Sequence, residues 1–282
     1  MFWRRSMFLA SRYQGAVAAL ATRHGKEAAV APAMAEALGL EIMVPAELDT
    51  DSLGTFTGEL PRPASMRETA RLKARMGMAA TGLRLGLASE GSFGPHPAIP
   101  FLPAAHELMI FIDQDSGLEI AEEQVSPDTN FAALDVTPEA DLEGFLTRAG
   151  FPAHAVILRG EGRIVKGIAA RDQLDDLLRR AGGPVRLETD MRAHLNPTRM
   201  AGLASLATKL AQRIATPCPA CGAPGFGVIR AERGLACEEC GAPTSLVKTL
   251  VFGCQLCGHQ VARPRPDNRE TATPAECPEC NP

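Results

Sequence analysis

Eight cysteines, all after residue 217, are the residues whose type and spacing speak first of chemistry. They form four Cys-x-x-Cys knuckles: Cys218/Cys221, Cys237/Cys240, Cys254/Cys257 and Cys277/Cys280. Two thiolates two residues apart can grip one face of a tetrahedral ion. Glycine follows three of the four knuckles, where the chain must turn tightly. Two knuckles complete a site, so eight sulfurs imply two zinc ions. A site of four thiolates has no open position for water, so these ions are expected to be structural. Fifteen residues (222–236) separate the first two knuckles and nineteen (258–276) the last two, both within zinc-ribbon spacing. Sequential pairing is the simplest arrangement. A nested pairing stays open, because only thirteen residues (241–253) separate the second and third knuckles and Leu246 to Phe252 could be a ribbon strand. His259 reads as a bystander, since four cysteines already fill each site.

The remaining candidates lie in the body and are charged. Thr22-Arg23-His24-Gly25-Lys26 connects a strand-like apolar run, 15–22, to an alanine-rich helix ending at Leu38 and stopped by Gly39. Free N–H groups and the dipole at a helix start favour anions. Arg23 and Lys26 add full charges there, and Gly25 lets a ligand approach the backbone. A solvated basic turn is the competing reading. Ser65 and Glu68 form a capping-box signature for a helix over 65–81, which also carries Arg71, Lys73 and Arg75. Glu90 is expected just past the end of a strand over 84–88, where ligands sit in open α/β sheets. Arg192, His194 and Arg199 cluster near a helix start at Pro197 and are candidate base or phosphate contacts. His24 and His96 are candidate proton carriers, although a loop histidine is more often just that.

The elements that must position these groups alternate. Strands are expected at 41–44, 107–112, 118–125, 154–159 and 185–190, with helices at 139–149, 171–181 and 197–214. The segment Asp113–Gly117 reads as a hairpin turn. Such alternation predicts an α/β sheet. A polar loop with Gly54, Thr55, Thr57, Gly58 and Glu59 precedes the capped helix. The cysteine-free stretch sets a domain boundary near residue 215, giving a body over 1–215 and a zinc-ribbon domain over 216–282.

With 45% hydrophobic residues, the chain can bury one sizeable core plus a small appendage. Its net charge of −4 gives no global attraction for nucleic acid or an anionic membrane. No stretch reaches the roughly 20 apolar residues of a membrane span. Arg4-Arg5 before Phe8-Leu9 faintly suggests an export leader, but Arg12 and Gln14 interrupt it. The cytoplasm is therefore expected, and Met7 is an alternative start. The tail's charges are mixed and its aromatics are Phe226 and Phe252, which favours a protein partner over nucleic acid.

Three body segments in order resemble the inosine-triphosphatase-like (Maf/Ham1) superfamily. They are the Thr22–Lys26 loop, the Glu68-Thr69-Ala70-Arg71-Leu72-Lys73-Ala74 helix and Ser89-Glu90-Gly91-Ser92. The resemblance covers roughly residues 15–125. It implies a two-lobed mixed sheet flanked by helices around a cleft, with a small double zinc-ribbon domain following. Lys26 and Lys73 would then hold phosphates, and Glu68 and Glu90 magnesium. Where the superfamily has asparagine in the first two motifs, this chain has no match and Thr69. Ser89 replaces its first aspartate, and its Ser-His-Arg motif is missing in the usual form. The whole chain also resembles a bacterial family of undetermined activity that joins such a body to a cysteine-rich tail. Two functions follow as expectations. One is a magnesium-dependent nucleoside triphosphate pyrophosphatase with Glu90 and Glu68 as catalytic carboxylates. The other is an inactive nucleotide- or protein-binding adaptor whose zinc tail docks a partner.

Overall fold

The computed structural model describes residues 12–50 and 64–282. The leader, Met7 and the polar loop at 54–59 lie outside the described residues. The chain divides into two units, Met1–Ala211 and Gln212–Pro282.

In the first unit, strand β1 (Val17–Ala21) leads through the basic loop into helix α1 (Glu27–Leu38). Gly39 ends that helix in the left-handed region at φ 61° and returns its N–H to Ala35. Strand β2 (Glu41–Met43) pairs parallel with β1. Helix α2 (Met66–Thr81) starts at the anticipated capping box: Ser65 Oγ accepts from the Glu68 N–H, and the Glu68 carboxylate takes the Ser65 N–H. Strands β3 (Leu85–His96), β4 (Ile99–Asp113) and β5 (Leu118–Ser126) complete a mixed sheet of order β2-β1-β3-β4-β5. The turn from β4 to β5 is held by Asp113, whose carboxylate accepts from the Asp115 and Ser116 N–H groups and the Ser116 and Tyr13 hydroxyls.

Ala70, Ala74 and Met78, one turn apart, give α2 an apolar stripe. It packs with Ala21, Ala88, Leu108, Ile110 and Ile112. Gly86 permits this closeness, since a Cβ there would lie 2.6 Å from the Met78 sulfur.

A second sheet follows, in place of a continuation of the first. It contains β6 (Ala133–Val136), β7 (Val156–Gly160), β8 (Arg163–Ile168) and β9 (Val185–Thr189) in the order β6-β9-β7-β8. Helices α3 (Leu142–Ala149) and α4 (Arg171–Arg180) bury Phe145, Leu146 and Leu174 against Leu158, Ile168 and Leu187. Every pairing in this sheet is antiparallel. The cause is the unanticipated strand β8. Glu161 and Gly162 take positive φ (50° and 72°) and close a tight turn between β7 and β8, reversing the chain before α4 begins. Helix α5 (Pro197–Ala215) starts at Pro197, with Asn196 Oδ1 accepting the Arg199 N–H at 2.9 Å. No helix among the described residues is long and apolar enough to cross a membrane.

The second unit is built on an antiparallel meander of β10 (Gly227–Arg233), β11 (Val247–Gly253) and β12 (Gln260–Pro264).

Candidate functional sites: two cysteine tetrads and a buried charge cluster

The meander decides how the knuckles pair. Its strands lie between successive knuckles, so each strand leaves one knuckle and arrives at the next. Because the strands alternate in direction, odd-numbered knuckles meet at one end of the sheet and even-numbered ones at the other. The tetrads are accordingly Cys218, Cys221, Cys254 and Cys257, and Cys237, Cys240, Cys277 and Cys280. This interleaved pairing corrects both the sequential and the nested alternatives.

Within each tetrad the sulfurs lie within 4.8 Å of one another. Cys218–Cys257 and Cys221–Cys254 are both 3.7 Å apart, Cys237–Cys280 3.9 Å and Cys240–Cys277 3.6 Å. Zinc–sulfur bonds of about 2.3 Å in a tetrahedron put sulfurs about 3.8 Å apart. Disulfide sulfurs would be about 2.05 Å apart, and all eight cysteines are free. Both tetrads are therefore compatible with one zinc ion each.

In the first three knuckles the glycine after the second cysteine takes positive φ: Gly222 (74°), Gly241 (73°) and Gly258 (71°). Each returns its N–H to the carbonyl of the first cysteine, at 2.8–3.1 Å. In the fourth knuckle Asn281 makes the same bond at 2.9 Å. Each tetrad has two buried and two exposed cysteines. Phe226 packs beside Cys218 and Cys254, and His259 stacks on Phe226 at 6.0 Å rather than joining a tetrad.

The body holds a different kind of site. Lys26 is 7% exposed, Lys73 8%, Glu90 5%, Glu107 5% and Arg199 4%. These five charges come from five elements: the β1–α1 loop, α2, β3, β4 and α5. Lys73 pairs with Glu90. Arg199 donates to Glu107 Oε1 at 2.7 Å and to the Met191 carbonyl, and it lies 5.2 Å over the Phe93 ring. Among the described residues Lys26 donates to Ser89, at 3.0 Å to Oγ and 3.2 Å to the carbonyl. Among the described residues three cations thus face two carboxylates, and both carboxylates are taken. Burial first, then the field of Arg199, lowers the Lys26 ammonium to about 8; Glu107 and Glu90 pull the other way.

Other candidates fall around this cluster or away from it. Glu90 does not end a strand: β3 runs on to His96 because β4 pairs with it throughout, and Glu90 faces Leu108 within the ladder. Gly91 leaves room for a neighbouring carboxylate rather than a ligand, as a Cβ there would lie 2.5 Å from Glu107 Oε2. Glu68 is exposed and engaged in its cap, where hydrogen bonds from Ser65 hold its carboxyl below the ordinary range. It is five residues from Lys73, about 140° around the helix, so it does not share the buried face that carries Lys73. His96 sits at the β3–β4 hairpin tip accepting the Ala98 N–H, about 20 Å along the strand from Glu90.

Thr22 is buried and its hydroxyl accepts the His24 N–H at 3.2 Å. Gly25 adopts φ 66°, which that turn requires of glycine. His24 stacks on His194 at 5.2 Å, joining the basic loop to the segment before α5. Desolvation and then Arg192 lower the His194 pKa. Arg192 itself is spent on the fully buried Asp190. Exposed Arg23 pairs with Asp49 at 2.7 Å. Beside this loop opens a cleft of ≈ 550 Å³, lined by Thr22, Arg23, Gly25, Glu27 and residues 44–49. Glu107 and Ser89 are the residues sequence reasoning missed as participants. The one available signal for Glu107 was a charge directly before the apolar run Leu108–Ile112.

The fold and its sites describe a mixed α/β body joined to a tail with two four-cysteine groups. Residues 73–282 match a family described as "Domain of unknown function (DUF6671)", and the chain belongs to that family. Comparison with curated proteins and with solved structures finds no significant match.

Proposed function

We propose that the body binds the phosphate of a nucleotide-like ligand at the Lys26–Lys73–Arg199 cluster, and that the tail is a zinc-stapled module for docking a protein partner. The observation that carries the first part is the surplus of buried positive charge. A buried cation without a counter-charge is costly, and an anionic ligand relieves that cost. Lys26, Lys73 and Glu90, three residues named through the inosine-triphosphatase-like resemblance, meet in this cluster from separate elements. For the tail, closed four-thiolate sites favour scaffolding, and exposed Val228 and Ile229 on edge strand β10 offer a contact surface.

Magnesium-dependent pyrophosphohydrolysis is the second reading. It asks for carboxylates free to meet a metal, and here Glu90 and Glu107 are each held by a cation while Glu68 caps a helix. The geometry therefore favours binding over turnover, and hydrolysis would require the Lys73–Glu90 pair to open. Calorimetric titration of a nucleotide panel, run alongside a pyrophosphate-release assay with magnesium, tests both. Binding without release supports the binding module. Release abolished by Glu90→Gln supports the hydrolase. Absence of binding at millimolar concentration removes both.

A further inference from the structure

The charge count also bears on how many phosphates the ligand carries. Lys73 and Arg199 are matched by Glu90 and Glu107, and Lys26 remains with neutral Ser89. Among the described residues the cluster is thus short of one negative charge. The neighbouring cleft has the opposite character. Among its described lining residues Glu27, Glu47 and Asp49 outnumber Arg23, so it is acidic. A chain of further phosphates running from Lys26 into that cleft would meet carboxylates. Hydroxyl groups would find acceptors there instead.

We infer that this site selects a ligand with a single phosphate next to a hydroxyl-bearing moiety, such as a nucleoside monophosphate, over a di- or triphosphate in the absence of a divalent cation. The inference rests on the phosphate-binding reading of the same cluster. One charge of the phosphate would replace the missing counter-charge of Lys26, whose third donor proton is not used by Ser89. The sugar hydroxyls would donate to the cleft carboxylates. Pairing Lys26 with an anion also favours its protonated form, so binding is accompanied by proton uptake above pH 8.

The test is calorimetric titration of the zinc-loaded full chain with adenosine monophosphate, adenosine triphosphate and inorganic phosphate, in magnesium-free buffer. The expected result is monophosphate binding at least about tenfold tighter than triphosphate, a difference set by roughly one hydrogen-bonded charge. Inorganic phosphate should bind more weakly than the monophosphate, because it leaves the cleft empty. Lys26→Met should abolish monophosphate binding while zinc content stays as in wild type and the body still unfolds cooperatively. Glu90→Gln adds one to the positive surplus and should narrow the preference for monophosphate. Triphosphate binding as tight as monophosphate would overturn the single-phosphate inference and leave the phosphate site standing. Failure of all three probes to bind at millimolar concentration would overturn the site as well. Undiminished binding in Lys26→Met, or an unchanged preference in Glu90→Gln, would place any binding elsewhere.

Discussion

The tail and the body both gather charges that are unstable alone, with opposite signs and by opposite routes. In the tail, four sulfurs crowd within 4.8 Å and call for a cation. In the body cluster, among the described residues, three buried cations face two buried carboxylates. Each tail knuckle supplies two ligands from four consecutive residues. The body cluster takes its charges singly from positions between Lys26 and Arg199. The tail site is therefore written locally, in two four-cysteine groups each compatible with a zinc ion. The body cluster comes together only once the sheet has formed.

The largest effect should come from the tail. Each meander strand runs from one tetrad to the other, so losing one site releases an end of every strand. Cys254→Ser should therefore lower bound zinc below two and abolish the tail's cooperative unfolding, because structural zinc contributes about 10–16 kcal/mol of folding energy in small modules. The body should still melt as in wild type, which would separate the two regions energetically. Metal analysis with a thermal melt reads both outcomes. Retention of one full zinc with an intact tail would show the tetrads to be independent.

A smaller loss is expected at Arg199. Arg199→Met leaves Glu107 buried without its cation and should destabilise the body by about 3–5 kcal/mol, with zinc content unchanged. The double change with Glu107→Gln should recover much of that loss, measured by urea unfolding. Equal destabilisation by both single changes and the double would mean that packing, not charge pairing, dominates.

Lys26 should behave in the other direction. Its pKa falls from 10.5 unfolded to about 8 folded, so between those values the unfolded chain holds the extra proton. Its burial cost is full below about pH 8 and fades as pH rises toward 10.5. Relative to Lys26→Met, wild-type stability should therefore rise across that window by up to about 3 kcal/mol. A flat difference between the two proteins from pH 7 to 10.5 would contradict the buried, uncompensated ammonium.

Glu68 should matter least. Glu68→Ala removes half of a capping box and should cost about 1 kcal/mol or less, with ligand binding unaltered. Loss of binding in that variant would restore Glu68 to the site.

These contrasts track what the sequence could express. The capping box, the Gly39 stop, the Asp113–Gly117 turn and the four cysteine knuckles are short-range patterns, and each is found where it was expected. The pairing of the tetrads depended on knowing that a strand lies between every two knuckles. Strand β8 was hidden because Glu161, rather than asparagine or aspartate, takes the left-handed position in its turn. The strand was expected to stop at residue 88 because glycine, and to a lesser degree glutamate, are poor strand formers. The long ladder with β4 overrides that preference and carries Glu90 into the interior. Glu107 lay in a hairpin strand with no motif around it, and only its position beside Gly91 and beneath Arg199 makes it part of a site.

The account turns on whether Lys26 is kept for a ligand at the expense of stability. Thermal unfolding of wild type and Lys26→Met, each with and without millimolar adenosine monophosphate, tests this most directly. Without ligand, Lys26→Met should melt higher than wild type, since a buried charge has been removed. With ligand, wild type should gain stability and the variant should not. A variant that melts lower than wild type without ligand, and responds to it equally, would contradict the claim and make Lys26 a structural residue.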